Sequence, residues 1–175
     1  GIQSQPLAGP TVRVGLILPL SAGGNAGAVA QSMKNAADLA LAEFGATNVH
    51  LIVKDDRGSA AGARTAAQAI VQEGAEIILG PLFSASVAAA GPVAKQANIP
   101  MIAFSTDINV ATQGVYLLSF LPESDVDRIV SYSAQAGKRS IVALLPENAY
   151  GSVIDAQLQS AVGARGARVI SIVKY

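Results

Sequence analysis

The sequence predicts an α/β protein organised as a doubly wound parallel sheet, and three observations carry that prediction. Short apolar runs alternate with longer segments of helical period from residue 12 to the end of the chain. Each apolar run ends in a polar turn, the pattern of buried strands feeding crossover helices. The helical segments are dense in alanine, which lets helices sit close against a sheet.

Composition supports this class and excludes others. Of 175 residues, 51% are hydrophobic and 14% charged, so a sizeable core is within reach. The formal net charge is zero and no run of Lys or Arg occurs, which argues against nucleic acid as a partner. The longest apolar strand runs, Val12 to Leu20 and Ser140 to Leu145, fall far short of a bilayer span. No charged and apolar leader opens the chain at Gly1, and cysteine is absent. A cysteine-free chain fits an extracytoplasmic protein without disulfides and equally many cytosolic ones.

Val12 to Leu18, closed by Pro19, reads as the first strand. Val29, Met33, Ala36, Ala40 and Phe44 recur at three- and four-residue steps and predict a helix over 26–44. Val49 to Val53 is the second strand, followed by a polar turn from Asp55 to Ser59. Ala63, Ala67, Ile70 and Val71 mark the second helix, with Gly74 just past its end. Glu76 to Leu79 is the third strand. Ser84 to Ala97 is the third helix, with Gly91-Pro92 expected to kink or break it. Pro100 to Phe104 and Val115 to Leu118 are the fourth and fifth strands. Pro122 opens a helix burying Val126, Ile129 and Val130. Ser140 to Leu145, Tyr150 to Val162 and Ala167 to Val173 form a strand, a helix and a last strand.

Five strands before residue 119 make a complete small α/β domain, with predicted order 2-1-3-4-5. The expected division is a first lobe over 11–119 and the start of a second, similar lobe over 120–175. Two strands and two helices are too little for an independent core, so the last two strands are expected to leave apolar faces and edges uncovered.

Function is read at the strand ends, because open α/β sheets bind ligands at the carboxyl rim. Gly80-Pro81-Leu82-Phe83-Ser84 ends the third strand and puts the Ser84 hydroxyl at a helix N-terminus. Free backbone N–H groups there favour an anion such as a carboxylate; the alternative is a cap serving only its own helix. Ser105 and Thr106 follow the fourth strand and either hold a carboxylate or amide or satisfy their own turn. Tyr150, after the loop 146–149, offers a ring and a hydroxyl, or packs over its helix start.

Chemistry other than binding finds little support. The glycine-rich loop from Ser21 to Gly27 lacks both G-x-G-x-x-G and a following Gly-Lys-Ser/Thr, so it reads as a cleft-lining loop and not a phosphate cradle. Asp55 and Asp56 are adjacent and point different ways, which reads as a solvated turn. His50, the only histidine, sits in a strand, and G-x-S-x-G is absent. The expectation is a protein without catalytic residues, metal or cofactor.

These motifs, in this order, resemble the type I periplasmic binding proteins, in the branch that binds leucine, isoleucine and valine. Val14-Gly15-Leu16 with Pro19-Leu20-Ser21 resembles that family's opening strand and loop, and Lys54-Asp55-Asp56 its second-strand turn. Gly80 to Ser84, Ile99 to Thr106 and Tyr150-Gly151 follow in matching order and spacing. The resemblance covers nearly everything from Thr11 onward. It implies that Ser84, the turn at Ser105 and Thr106, and Tyr150 contact the ligand's carboxylate end in a cleft between two lobes. It also implies that the acidic residue for a ligand ammonium comes from later in the second lobe, so that the chain looks like a fragment.

Leu18 to Ser21, Gly80 to Phe83, Ala103 to Asp107 and Gly114 to Leu118 are further similar to the lipoproteins called penicillin-binding protein activators. Two functions follow as expectations. One is a periplasmic receptor that passes an amino acid or similar small acid to an ABC permease. The other is a membrane-anchored lipoprotein, its lipid attached upstream of Gly1, that binds a peptidoglycan synthase.

Overall fold

A computed structural model describes residues 9–45 and 48–175. The chain divides into two compact units between Ser119 and Phe120.

The first unit holds five strands: β1 (Val12–Leu18), β2 (Val49–Asp55), β3 (Ile77–Leu79), β4 (Met101–Ala103) and β5 (Val115–Leu117). Between them run α1 (Gly24–Phe44), α2 (Ala60–Gln72), α3 (Ser84–Gln96) and a single 3-10 turn at Ile108–Val110. All four strand pairings are parallel and the order is β2-β1-β3-β4-β5, as the alternation predicts.

The period of two along each strand sorts side chains onto two faces. Ile17, Ile52, Ile78, Met101, Ala103 and Val115 face α2 and α3, meeting Ala63, Ala66, Ala67, Ile70, Val87, Ala90 and Ala94 in the main core. Their neighbours Leu16, Leu18, Leu51, Val53 and Leu79 face the other way and pack with Ala30, Met33 and Ala37 of α1. Helices on both faces make the unit doubly wound. The alanines let α2 and α3 approach, and Gly15 leaves space that Ile70 fills: a Cβ there would stand 2.4 Å from Ile70 Cγ2.

Three expectations need correction. Ile129, expected on the buried face of the helix that Pro122 opens, is 59% exposed, while Val126 and Val130 are buried. Helix α3 runs unbroken through Pro92. The proline lacks one donor, but the helix is held by its buried residues Val87, Ala90, Gly91 and Ala94, so packing outweighs the missing bond. Strand β2 extends two residues further than its apolar run, because Lys54 and Asp55 keep register with Ile17 and Leu18 of β1. Register with a neighbour, not hydrophobicity, ends that strand.

The second unit contains α4 (Pro122–Gln135), β6 (Ser140–Leu145), α5 (Ala149–Ala164) and β7 (Arg168–Lys174). The two strands pair in parallel with an irregularity between Ile141 and Val142. Val126 and Val130 of α4 meet Leu158, Ala161 and Val162 of α5, and Ile141, Ala143 and Val169 close this core from the strands. Arg165 bonds Asp127 at 2.8 Å and ties the two helices together. The opposite face of the strand pair is open: Val142, Leu144 and Val173 are each more than half exposed. No helix among the described residues is long and apolar enough to cross a membrane.

Candidate functional site

Because β1 to β5 are parallel, their carboxyl ends form one rim, and the turns after them lie side by side. The turns after β1 and β2 are bonded together. Asp56 N donates to Leu18 O at 3.1 Å, and Ser21 N donates to Asp55 Oδ1 at 3.2 Å. Gly58 marks where three turns converge: a Cβ there would lie 3.5 Å from Ala22 Cβ, 3.6 Å from Phe83 Cε2 and 3.9 Å from Pro19 Cβ. The turns after β3 and β4 are likewise joined, by Gly80 N to Ile102 O at 2.8 Å and Phe104 N to Pro81 O at 3.0 Å.

Ser84 is the first residue of α3, not its cap. Phe83 occupies the cap position with extended backbone and no side-chain bond to the helix. The first amides of α3 therefore lack the side-chain acceptor that Ser59 supplies to α2 and Asn148 to α5. Ser84 is half-buried, and its hydroxyl makes no hydrogen bond among the described residues.

The turn after β4 divides its work between two hydroxyls. Ser105 is buried, and its Oγ accepts from Asp107 N at 3.1 Å while its carbonyl accepts from Ser119 Oγ at 2.7 Å. Its hydroxyl proton remains free to donate. Thr106 is exposed and unengaged among the described residues. Tyr150 is the second residue of α5, on the corresponding rim of the second unit, and is 55% exposed. The structure thus brings Ser84, Ser105 and Thr106 to one rim of the first unit, and puts Tyr150 at a strand-end turn of the second.

The paired aspartates at the end of β2 are not a solvated turn, which corrects the sequence reading. Asp55 is partly exposed, and Asp56 is fully buried at 0% exposure. Burial raises the cost of the Asp55 charge, but hydrogen bonds from Ser21, Arg57 and Leu20 outweigh it and hold the carboxyl below its ordinary range. Burial pushes Asp56 the other way, reinforced by the Asp55 charge, and the Gly58 amide and Ser86 hydroxyl oppose it without cancelling it. The signal for this was Asp56-Arg57-Gly58. An aspartate two residues before a glycine favours a side chain bonded back to its own turn, here Gly58 N to Asp56 Oδ1 at 2.8 Å.

A wide surface depression lies elsewhere, on the polar faces of α4 and α5 between Glu123, Asp127, Arg128, Tyr132 and Gln157. It is an open furrow without convergent strand ends. No group of three or more His, Cys, Asp or Glu side chains able to hold a metal occurs among the described residues.

A rim of hydroxyls and uncapped amides at the carboxyl ends of a doubly wound sheet belongs to the class of α/β ligand-binding folds. Residues 11–175 match the family described as periplasmic binding protein, and the chain belongs to that family. Among solved structures it is similar to a solute-binding protein of an ABC transporter from Rhodopseudomonas palustris BisB5, crystallised with 3,4-dihydroxybenzoic acid. The identity is 25% and the TM-score 0.69, over 94% of this chain and 47% of that one. It is also similar in fold to a putative branched-chain amino acid ABC transporter protein from Rhodospirillum rubrum, with 21% identity and a TM-score of 0.79 over 94% and 50% of the two chains. A third, an ABC-type branched-chain amino acid transporter protein from Rhodopseudomonas palustris CGA009, gives 21% identity and a TM-score of 0.72 over 93% and 47%. The chain spans about half the length of these structures. No curated protein sequence matches it.

Proposed function

We propose that this chain is the ligand-holding half of an extracytoplasmic receptor that binds a small carboxylic acid and delivers it to an ABC permease. The observation that carries the reading is the start of α3: uncapped amides and an unengaged Ser84 hydroxyl, on a turn bonded to the one that bears Ser105 and Thr106. Such donors suit a carboxylate, which has only acceptors to offer. Branched-chain amino acids and 3,4-dihydroxybenzoic acid, named for the similar proteins, share a carboxylate and little else. That shared group favours a carboxylate-bearing ligand, with an amino acid as the preferred member. Ser84, Thr106 and the free proton of Ser105 hold the carboxylate, and Tyr150 is the second unit's ligand residue.

The family supports an extracytoplasmic location. The similar proteins reported above belong to ABC transporters, which favours the receptor over the activator of peptidoglycan synthesis. The receptor reading needs neither a lipid anchor nor a synthase partner.

The test is calorimetry on the complete protein with L-leucine and 4-hydroxybenzoate. Ser84→Ala and Thr106→Val should each weaken binding by about 1–3 kcal/mol, the scale of a hydrogen bond to a charged group. Unchanged affinity in both variants removes the site. Failure of both probes to bind, beside a measurable complex with a peptidoglycan synthase, moves the assignment to the activator.

A further inference from the structure

The rim of the first unit is built in two halves. The turns after β1 and β2 are bonded to each other, and so are the turns after β3 and β4. Among the described residues no backbone hydrogen bond runs from residues 80–86 to residues 19–24 or 56–59. An aromatic ring crosses this seam. Phe83 belongs to the turn after β3, and its Cε2 stands 3.6 Å from the point that a Cβ on Gly58 would occupy. Ala22 Cβ and Pro19 Cβ stand 3.5 and 3.9 Å from the same point, so the side chain that Gly58 lacks leaves a seat lined by both turns of the other half. Gly58 has a φ of +68°, which glycine adopts without steric cost, and Pro19 is fully buried beside it. Phe83 is 38% exposed, so most of its surface is covered even at the open end of the sheet. The same residue occupies the cap position of α3, where its carbonyl accepts from Val87 N at 2.9 Å. Its neighbour in the chain is Ser84.

We propose that Phe83 bridges the two halves of the rim and is a positioning residue for Ser84. Its ring, seated over Gly58, ties the start of α3 to the turns after β1 and β2, and its backbone passes that restraint into the helix. The bridge explains how a helix start without a side-chain cap keeps a fixed place on the rim. The link to binding rests on the proposed receptor function; the bridge itself does not.

The test combines amide exchange and calorimetry on the complete protein. Exchange at Val87 reads the first bond of α3 and should accelerate about tenfold in Phe83→Ala, the scale of losing part of one apolar side chain's burial. Phe83→Leu keeps an apolar group over Gly58 and should restore most of that protection, while α5 exchanges as before in both variants. Binding of L-leucine and of 4-hydroxybenzoate is then measured in Phe83→Ala, in Ser84→Ala and in the double variant. A residue that acts through Ser84 gives losses that do not add, so a loss of about tenfold in Phe83→Ala should shrink to about twofold in the Ser84→Ala background. Unchanged exchange at Val87 in Phe83→Ala overturns the bridge. Losses that add in the double variant overturn the positioning role, because the ring then acts independently of Ser84. Unchanged affinity in Ser84→Ala, or binding of neither probe, with exchange behaving as stated, removes the ligand site and leaves the bridge standing.

Discussion

The two units are built from the same βα pieces but finish differently. In the first, helices lie on both faces of the sheet, and Ile17, Leu18, Ile70, Ile78 and Met101 are inaccessible to solvent. In the second, both helices share one face of a two-stranded pair, and Val142, Leu144 and Val173 remain on the open side. Parallel strands are ordinarily covered on both faces. The difference teaches where the chain's own cohesion resides: in the first unit, around the contact of α2 and α3 with the sheet.

Substitutions test this contrast. The largest effect is expected for Ile70→Ala, which empties the space between Gly15 and the α2–α3 core and should cost about 2–5 kcal/mol in denaturant unfolding. Val142→Ser, on the open face, should change stability by no more than about 0.5 kcal/mol. A loss well above that in a longer polypeptide would show that further chain covers the face.

An intermediate effect is expected at two glycines in equivalent places. Gly62 opens α2 beside the carbonyl of Asp56, and Gly151 opens α5 beside the carbonyl of Pro146; a Cβ would stand 2.1 and 1.9 Å from those oxygens. In both turns a side chain caps the glycine amide, Ser59 at 3.1 Å and Asn148 at 3.0 Å. Alanine at either position should cost about 1–3 kcal/mol, as overpacking does. A loss at Gly62 without one at Gly151 would mean that the second unit yields where the first does not.

The smallest effect separates the adjacent aspartates by pH. The folded-state pKa of Asp55 is lowered, so its contribution is present above the unfolded value near about pH 4 and is lost as pH falls through the folded one. That of Asp56 is raised, so its contribution is complete below about pH 4 and declines as pH rises through the folded value. Asp56→Asn should therefore flatten the decline on the high side, and Asp55→Asn the loss on the acid side. Thermal unfolding between pH 3 and pH 7 reads both, and equal curves for the two variants would contradict the opposite environments.

Most of this architecture is legible in the sequence because apolar periodicity reports burial directly. The strand order expected from the alternation with right-handed crossovers matches the one observed, and the open face of β6 and β7 is the one expected from counting what could cover it. What escaped were features decided by partners distant in sequence. Lys54 and Asp55 look like loop residues until β1 is aligned beside them. Pro92 looks like a break until the buried face of α3 is known. Asp56 looks solvated because adjacent acids usually are, whereas a backbone bond to Leu18 pins its turn to the end of β1. At the rim, the strand-end rule located Ser84, Ser105 and Thr106, but only the structure distinguishes the Oγ that serves its own turn from the two that are unengaged.

The alanines between α2, α3 and the sheet have a consequence of their own. Ala63, Ala66, Ala67, Ala90 and Ala94 have no side-chain rotamers to freeze, so ordering this contact costs little conformational entropy. For the same reason the contact cannot adapt by turning a side chain. A larger residue there must displace a whole helix, and α3 carries Ser84 at its tip. If the proposed receptor function holds, ligand affinity should thus respond to substitutions deep in the protein through rigid translation of a helix, a lever that evolution or design can use to retune the proposed site without changing any residue that lines it.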